Sequence, residues 1–364
     1  MLTKDKWIWA AGIEDTFVTQ TAKGERPLDE YELTQHYQFW QSDLDLVKRS
    51  GATMIRYGIP WYKVEPVEGE FDWSWIDHVM EYFRKNDALT PIIDLMHYGT
   101  PHWLVNEFVH DHYPYFVSRY AKEFANRYRD VATYYTPLNE PYVNAEFCGL
   151  NGVWPPYLDG LSGFYQIAVQ LGKGIIQTVY AIKEVVPDAT MVHVDATKRY
   201  VSNDPHLQDE VDLWNENRFV MWELLSGRIF VDHPLYSFMK KHGVAEEDFQ
   251  WFQNHAISFD IVGLNYYPQF SVHEVTRDEK GYIVYPHRMG TGIDLEKIIN
   301  EAYRRYDAPI MITETSFNGT DHEKTAWLEE CVQSCKKLRG TKNSIDRLDL
   351  VSLSRPCRLG ISNI

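Results

Sequence analysis

Seven times in this chain a short apolar run gives way to a stretch with helical spacing, and that alternation limits the fold more than any other feature. The runs cover residues 7–13, 52–57, 88–96, 131–138, 190–195, 259–264 and 309–313. Helical spacing is read over 37–49, 73–85, 115–128, 163–186, 207–225, 295–306 and 322–338. The runs do not alternate apolar with polar residues. Strands of that kind are covered on both faces, as in a parallel sheet packed against helices. A doubly wound sheet and a closed barrel both fit this pattern. The number of repeats, and the polar residues that end strand after strand, favour an α/β (β/α)8 TIM barrel. A chain of 364 residues with 44% hydrophobic content suits one such barrel, which typically needs about 250 residues and can exceed 400 with insertions. The stretch 227–254 reads as a longer connection with short helices of its own.

The C-terminal end breaks the pattern. From Leu328 to Ile364 there is no Phe, Trp or Tyr, although aromatics make up 15% of the whole. Three of the four cysteines, Cys331, Cys335 and Cys357, fall here. Residues 348–353 are the only candidate strand beyond 340. The expectation is a barrel over 1–340 and an atypical tail over 341–364, with the eighth strand altered, replaced by the tail, or missing.

Composition excludes several classes of partner. A net charge of −16 disfavours nucleic acid and anionic membranes. The N-terminus lacks the charged and apolar regions of a signal peptide, and no apolar run approaches a membrane span of ~18 residues. Four irregularly spaced cysteines do not make a disulfide scaffold, so a reducing cytoplasm is expected. No HExxH pattern, glycine-rich phosphate loop or GxSxG elbow occurs. Neither metal nor cofactor is expected, and the sequence leaves the oligomeric state open.

Two strand ends carry carboxylates. Thr136-Pro137-Leu138-Asn139-Glu140-Pro141 follows the fourth run, and Ile312-Thr313-Glu314-Thr315 closes the seventh. Pro137 and Pro141 fix their own φ and push Thr136 and Glu140 out of the helical region, so Glu140 is expected on stiff, extended backbone. Alone, each carboxylate could be an ordinary solvated strand end. A pair facing one pocket is the minimum equipment for cleaving a glycosidic bond. Arg56, ending the second run, could lie beside Glu314 and keep it ionised, or serve as a structural ion-pair partner. Tyr266 could hydrogen-bond the same carboxylate or simply pack. His97 and Asn139 are neutral donors suited to sugar hydroxyls, although His97 could equally be a core histidine. Trp9, Trp61, Trp103 and Trp154 could stack on sugar faces, and each singly fits a core position as well.

The elements Arg56-Tyr57-Gly58-Ile59-Pro60-Trp61, Pro137-Leu138-Asn139-Glu140-Pro141, Gly263-Leu264-Asn265-Tyr266-Tyr267 and Ile312-Thr313-Glu314 resemble those of glycoside hydrolase family 1, over about 7–338. The resemblance implies a retaining, double-displacement β-glycosidase acting on small carbohydrates. Glu140 would be its acid/base and Glu314 its nucleophile. Asn139 would bind the sugar 2-hydroxyl and His97 the glycone, with Tyr266 and Arg56 flanking the nucleophile. Four departures stand out. Glu14 occupies the region of the family's glutamine. His97-Tyr98-Gly99 replaces His-Trp-Asp. Thr315-Ser316 follows the nucleophile in place of Asn-Gly. The tryptophan-rich end of the eighth strand has no counterpart.

Three readings therefore compete: a retaining β-glycosidase for small β-glucosides or β-galactosides, a sugar-binding barrel with little or no hydrolysis, and an endo-acting relative that cleaves a polysaccharide.

Overall fold

The computed structural model describes residues 7–19, 21, 24–340 and 348–353. Eight parallel strands close into a barrel: β1 (Ile8–Ile13), β2 (Met54–Gly58), β3 (Thr90–Asp94), β4 (Tyr134–Thr136), β5 (Thr190–Ala196), β6 (Ile261–Tyr266), β7 (Ile310–Thr315) and β8 (Leu348–Leu353). The aromatic-free run is therefore a strand, altered in composition but present in position. Its Leu350–Leu353 segment pairs with Ile8–Ala11 of β1, and its other edge pairs with β7. The rest of the expected tail, 341–347 and 354–364 with Cys357, lies outside the described residues, as does the N-terminal stretch 1–6.

The helices cover the outside: α1 (His36–Arg49), α2 (Ser74–Lys85), α3 (Tyr113–Tyr128), α4 (Gly160–Val185), α5 (Gln208–Asn217), α6 (Gly292–Tyr306) and α7 (Asp321–Gly340). In α2, Ile76, Val79, Met80 and Phe83 fall on one face at helical spacing and are buried. The expected 207–225 helix divides at Arg218-Phe219, where Phe219 N bonds the carbonyl of Glu216 three residues back and tightens the turn. The 227–254 connection carries two short helices, Tyr236–Lys241 and Glu246–Asn254. The fourth strand is shorter than its apolar run, because Pro137 has no N–H to give to the ladder.

Inside the barrel, Ala10, Met54, Ile92, Val192, Ile261 and Met311 form one apolar layer. Farther along the same faces the lining becomes polar: Arg56, Asp94, Asn265 and Thr313, all buried. Alternation along each strand places both sets inward, so the interior turns from hydrocarbon to hydrogen-bonding groups toward the C-terminal mouth.

Candidate active site

Glu140 stands just past β4, and its backbone differs from the extended conformation expected. At φ 45° and ψ 60° it is left-handed. Pro141 excludes the right-handed helical region for Glu140, and the chain must turn at once into the helix Pro141–Ala145. Such backbone costs on the order of 1–3 kcal/mol and persists only where surroundings enforce it. Here Glu140 N donates to Val194 O at 3.2 Å, and Asn144 N donates to Glu140 O at 3.0 Å. The side chain is also fixed. Asn265 Nδ2 donates to Glu140 Oε1 at 2.8 Å, and the Tyr98 hydroxyl donates to Oε2. Behind this helix, Asp195 accepts from Tyr142 N at 3.1 Å. Burial pushes the Asp195 carboxyl well up, with backbone donors opposing it.

Glu314 reaches the interior through a strand irregularity. Strict alternation after Met311 and Thr313 would aim residue 314 outward. The β6–β7 register shifts between Ile312 and Glu314, so that Glu314 pairs with Asn265. A bulge re-aims a side chain in this way. Thr313 Oγ1 meanwhile donates to Asn265 Oδ1 at 2.6 Å. Glu314 Oε1 accepts from Arg56 Nη2, and Oε2 accepts from the Tyr267 hydroxyl at 2.7 Å.

That last contact corrects the expectation for Tyr266. Asn265 points inward, so Tyr266 points outward and Tyr267 inward again. The Tyr266 hydroxyl donates to Thr291 O at 3.1 Å, and its ring stacks on Trp327 at 5.5 Å. Tyr267 flanks Glu314 in its place.

Arg56 links Glu314 to Asn139, the residue before Glu140. It is 1% exposed. Nη1 donates to Asp94 Oδ2 and to Asn139 Oδ1, both at 2.8 Å, and Nη2 also reaches Glu14 Oε1 at 3.4 Å. Asn139 Nδ2 lies 3.1 Å from His97 Nε2, and His97 Nδ1 lies 3.0 Å from Asp94 Oδ2. Burial alone would lower the His97 pKa. The Asp94 hydrogen bond and charge, joined by Glu14, more than offset it and raise His97 to about 9. Glu14 is itself pushed up by burial, against the pull of His97 and Arg56.

Glu14, His97 and Glu314 have ligand atoms within 4.8 Å of one another. A cation there would compete with the Arg56 guanidinium already bonded to both carboxylates, so the donor set serves Arg56 rather than a metal.

Of the four candidate tryptophans, Trp154 packs against Tyr98, the ring centroids 5.0 Å apart. Trp61 is buried against Tyr120, and Trp103 donates to the Glu65 carbonyl at 2.7 Å. Trp9 lies on β1 and is 36% exposed. Tyr98, Tyr267, Asn265 and Asp94 also line the site, although none was among the candidate site residues. The strand-end position of the last two was the available signal; Tyr98 stood out only as a departure from the family's His-Trp-Asp.

A closed parallel barrel with paired carboxylates at its C-terminal mouth belongs to the class of (β/α)8 folds that carry their chemistry on strand ends. Residues 10–345 match the sequence profile of Glycosyl hydrolase family 1, and the chain belongs to that family. A "1,4-beta-D-glucan glucohydrolase" of Thermotoga neapolitana is 25% identical over 165 residues, 42% of this chain and 37% of that protein. "Beta-galactosidase BgaA" of Clostridium cellulovorans is 40% identical over 47 residues, 13% of this chain and 7% of that protein. The chain thus matches well under half the length of these curated relatives. The solved family 1 β-glucosidase of Thermotoga maritima superposes with a TM-score of 0.80 over 97% of this chain and 88% of that one, at 16% identity, which shows the shared fold. Among the described residues no helix is long and apolar enough to cross a membrane.

Proposed function

We propose that this protein is a retaining β-glycosidase that hydrolyses small β-glucosides or β-galactosides by double displacement. The observation that carries the reading is the continuous network from Glu140 through Asn265, Asn139 and Arg56 to Glu314. Glu314, unlike Glu140, receives a guanidinium, a positive charge that favours a carboxylate's ionised form and suits a nucleophile. Glu140 is the acid/base. It gives its proton to the glycosidic oxygen as Glu314 attacks the anomeric carbon, then takes one from the water that releases the sugar. Asn139, His97 and Glu14 surround the space beside Glu314 and bind the glycone. Trp154, packed on the Tyr98 ring that meets Glu140, borders the leaving group. The names of the matched relatives make glucose and galactose the first sugars to try.

We assign the barrel to 1–340 and the tail to 341–364, the tail supplying the last strand. Few and scattered cysteines support a reducing, cytoplasmic setting.

The experiment is Glu314→Gly with an aryl β-glucoside and an aryl β-galactoside. Turnover should be abolished, azide should restore part of it, and NMR of the wild-type reaction should show the β-anomer released first. Wild-type-like activity in the variant, or initial release of the α-anomer, refutes the mechanism. Sugar binding by calorimetry without any wild-type turnover identifies a binding barrel, and a ladder of oligosaccharide products identifies an endo-acting enzyme.

A further inference from the structure

Tyr98 follows His97 with a backbone φ of 78°. The left-handed region is unfavourable for an aromatic residue, costing on the order of 1–3 kcal/mol. The turn is pinned from several sides. Phe17 N donates to His97 O at 3.2 Å, and Asn144 Nδ2 donates to Tyr98 O at 3.1 Å. The next residue, Gly99, backs onto Phe17 so closely that a Cβ there would lie 2.3 Å from the Phe17 carbonyl oxygen. The enforced turn carries the phenol into the site. Its hydroxyl donates to Glu140 Oε2, and its ring sits edge-on to His97 at 4.8 Å and tilted against Trp154 at 5.0 Å.

Both oxygens of Glu140 are therefore occupied, by donors of different character. Asn265, on Oε1, is 1% exposed and tied through its own carbonyl oxygen to Thr313 at 2.6 Å. Tyr98, on Oε2, stands in a loop and is only half-buried. An incoming oxygen can displace the phenol far more readily than the amide.

We propose that Tyr98 is the positioning residue of Glu140, reserving Oε2 as the oxygen that exchanges protons and yielding its place to the glycosidic oxygen and then to water. The inference rests on the acid/base assignment above. In the protonated acid Oε2–H turns to the phenol oxygen as donor, and that proton leaves Oε2 for the departing oxygen as the glycosidic bond breaks and its electron pair goes to that oxygen. It is replaced from water in the second step, and Tyr98 keeps its own proton throughout.

The test is Tyr98→Phe, which preserves the ring contacts. A second variant, Tyr98→Asn, removes the hydroxyl with a residue that tolerates left-handed backbone. Each is assayed with three β-glycosides of one sugar: 2,4-dinitrophenyl, 4-nitrophenyl and methyl. A dinitrophenolate departs without a proton, whereas an alkoxide cannot. We expect kcat/KM to fall at least ~10-fold with the methyl glycoside and less than ~3-fold with the dinitrophenyl one. Glu140→Gln should show the same ranking, and adding Tyr98→Phe to it should cost nothing more, as for groups acting as a unit. Losses equal across the three leaving groups, or additive in the double variant, overturn the proposal while leaving the hydrolase reading intact. Wild-type protein inert toward all three overturns the hydrolase reading, and this proposal with it.

Discussion

Arg56 Nη1 lies 2.8 Å from Asn139 Oδ1, one residue before Glu140, while Nη2 of the same guanidinium bonds Glu314. One rigid fork thus ties Glu314 to the neighbour of a carboxylate about half the chain away in sequence. An ammonium cannot reproduce that fork. Arg56→Lys should leave part of the acidic set around it, buried Asp94 and Glu314 with half-buried Glu14, without a partner. Losing one member of a buried ion pair costs ~3–5 kcal/mol. The expected outcome is a drop in melting temperature together with a fall of ~100-fold or more in kcat/KM on an aryl β-glycoside. A variant with unchanged kcat/KM would mean that the guanidinium does not set the carboxylate geometry.

Tyr266 and Tyr267 are adjacent and do opposite things. The Tyr267 hydroxyl meets Glu314, whereas that of Tyr266 meets the Thr291 carbonyl outside the strand layer. Tyr267→Phe should lower kcat by roughly 10-fold, since its phenol meets the Glu314 carboxylate, and it should also lower stability by up to ~1.5–3 kcal/mol. Tyr266→Phe should lower stability by ~1 kcal/mol and change kcat by less than ~3-fold. Parallel kinetics and thermal melts of the two variants distinguish these outcomes; reversed effects would place the wrong tyrosine in the site.

β8 closes the barrel by pairing with β1 on one edge and β7 on the other. A chain ending at Gly340 leaves both neighbours with unpaired backbone, and exposed strand edges aggregate. It should lose its cooperative thermal transition and its solubility. A cooperative melt near that of the full chain would show that seven strands suffice.

The elements with a strong local signal were legible. Met54-Ile55-Arg56 and Ile261 to Asn265 announce buried strands ending in polar groups, and parallel strands in sequence order leave few topologies. The site was legible where a residue's reach follows from its strand end, as for Arg56, Asn139 and His97. What escaped depends on departures from regular geometry. The β7 bulge aims Glu314, and no local pattern in Ile312-Thr313-Glu314 reveals it. Choosing Tyr267 over Tyr266 needs the phase of β6, which Asn265 alone fixes. The inward phenol of Tyr98 comes from a turn enforced by Phe17 and Asn144, residues distant in sequence. Residues 348–353 were legible as a candidate strand, but their aromatic-free composition left their place in the barrel open, and long-range pairing with β1 and β7 determines it.

His97 couples the site to pH. Asp94, Glu14, Asn139 and Arg56 surround it, and the carboxylates raise it to about 9 against burial and Arg56, from an ordinary value near ~6.5. A histidine raised in the folded state binds its proton more tightly there than in the unfolded chain. Its contribution to stability is therefore complete below pH ~6.5 and is lost as pH climbs through about 9. The shift corresponds to a contribution on the order of 3 kcal/mol. His97→Gln keeps a polar group of similar size and cannot titrate. The stability gap between wild type and His97→Gln, measured by urea unfolding at pH 6, 8 and 10, should narrow steadily as pH rises. The amide donor of Asn139, facing Nε2 at 3.1 Å, opposes a second ring proton, so Asn139→Asp should widen the gap at pH 8 by favouring the imidazolium. A gap that stays constant or grows with pH would mean that the ring is neutral in the folded protein, with Asn139 rather than Asp94 setting its state.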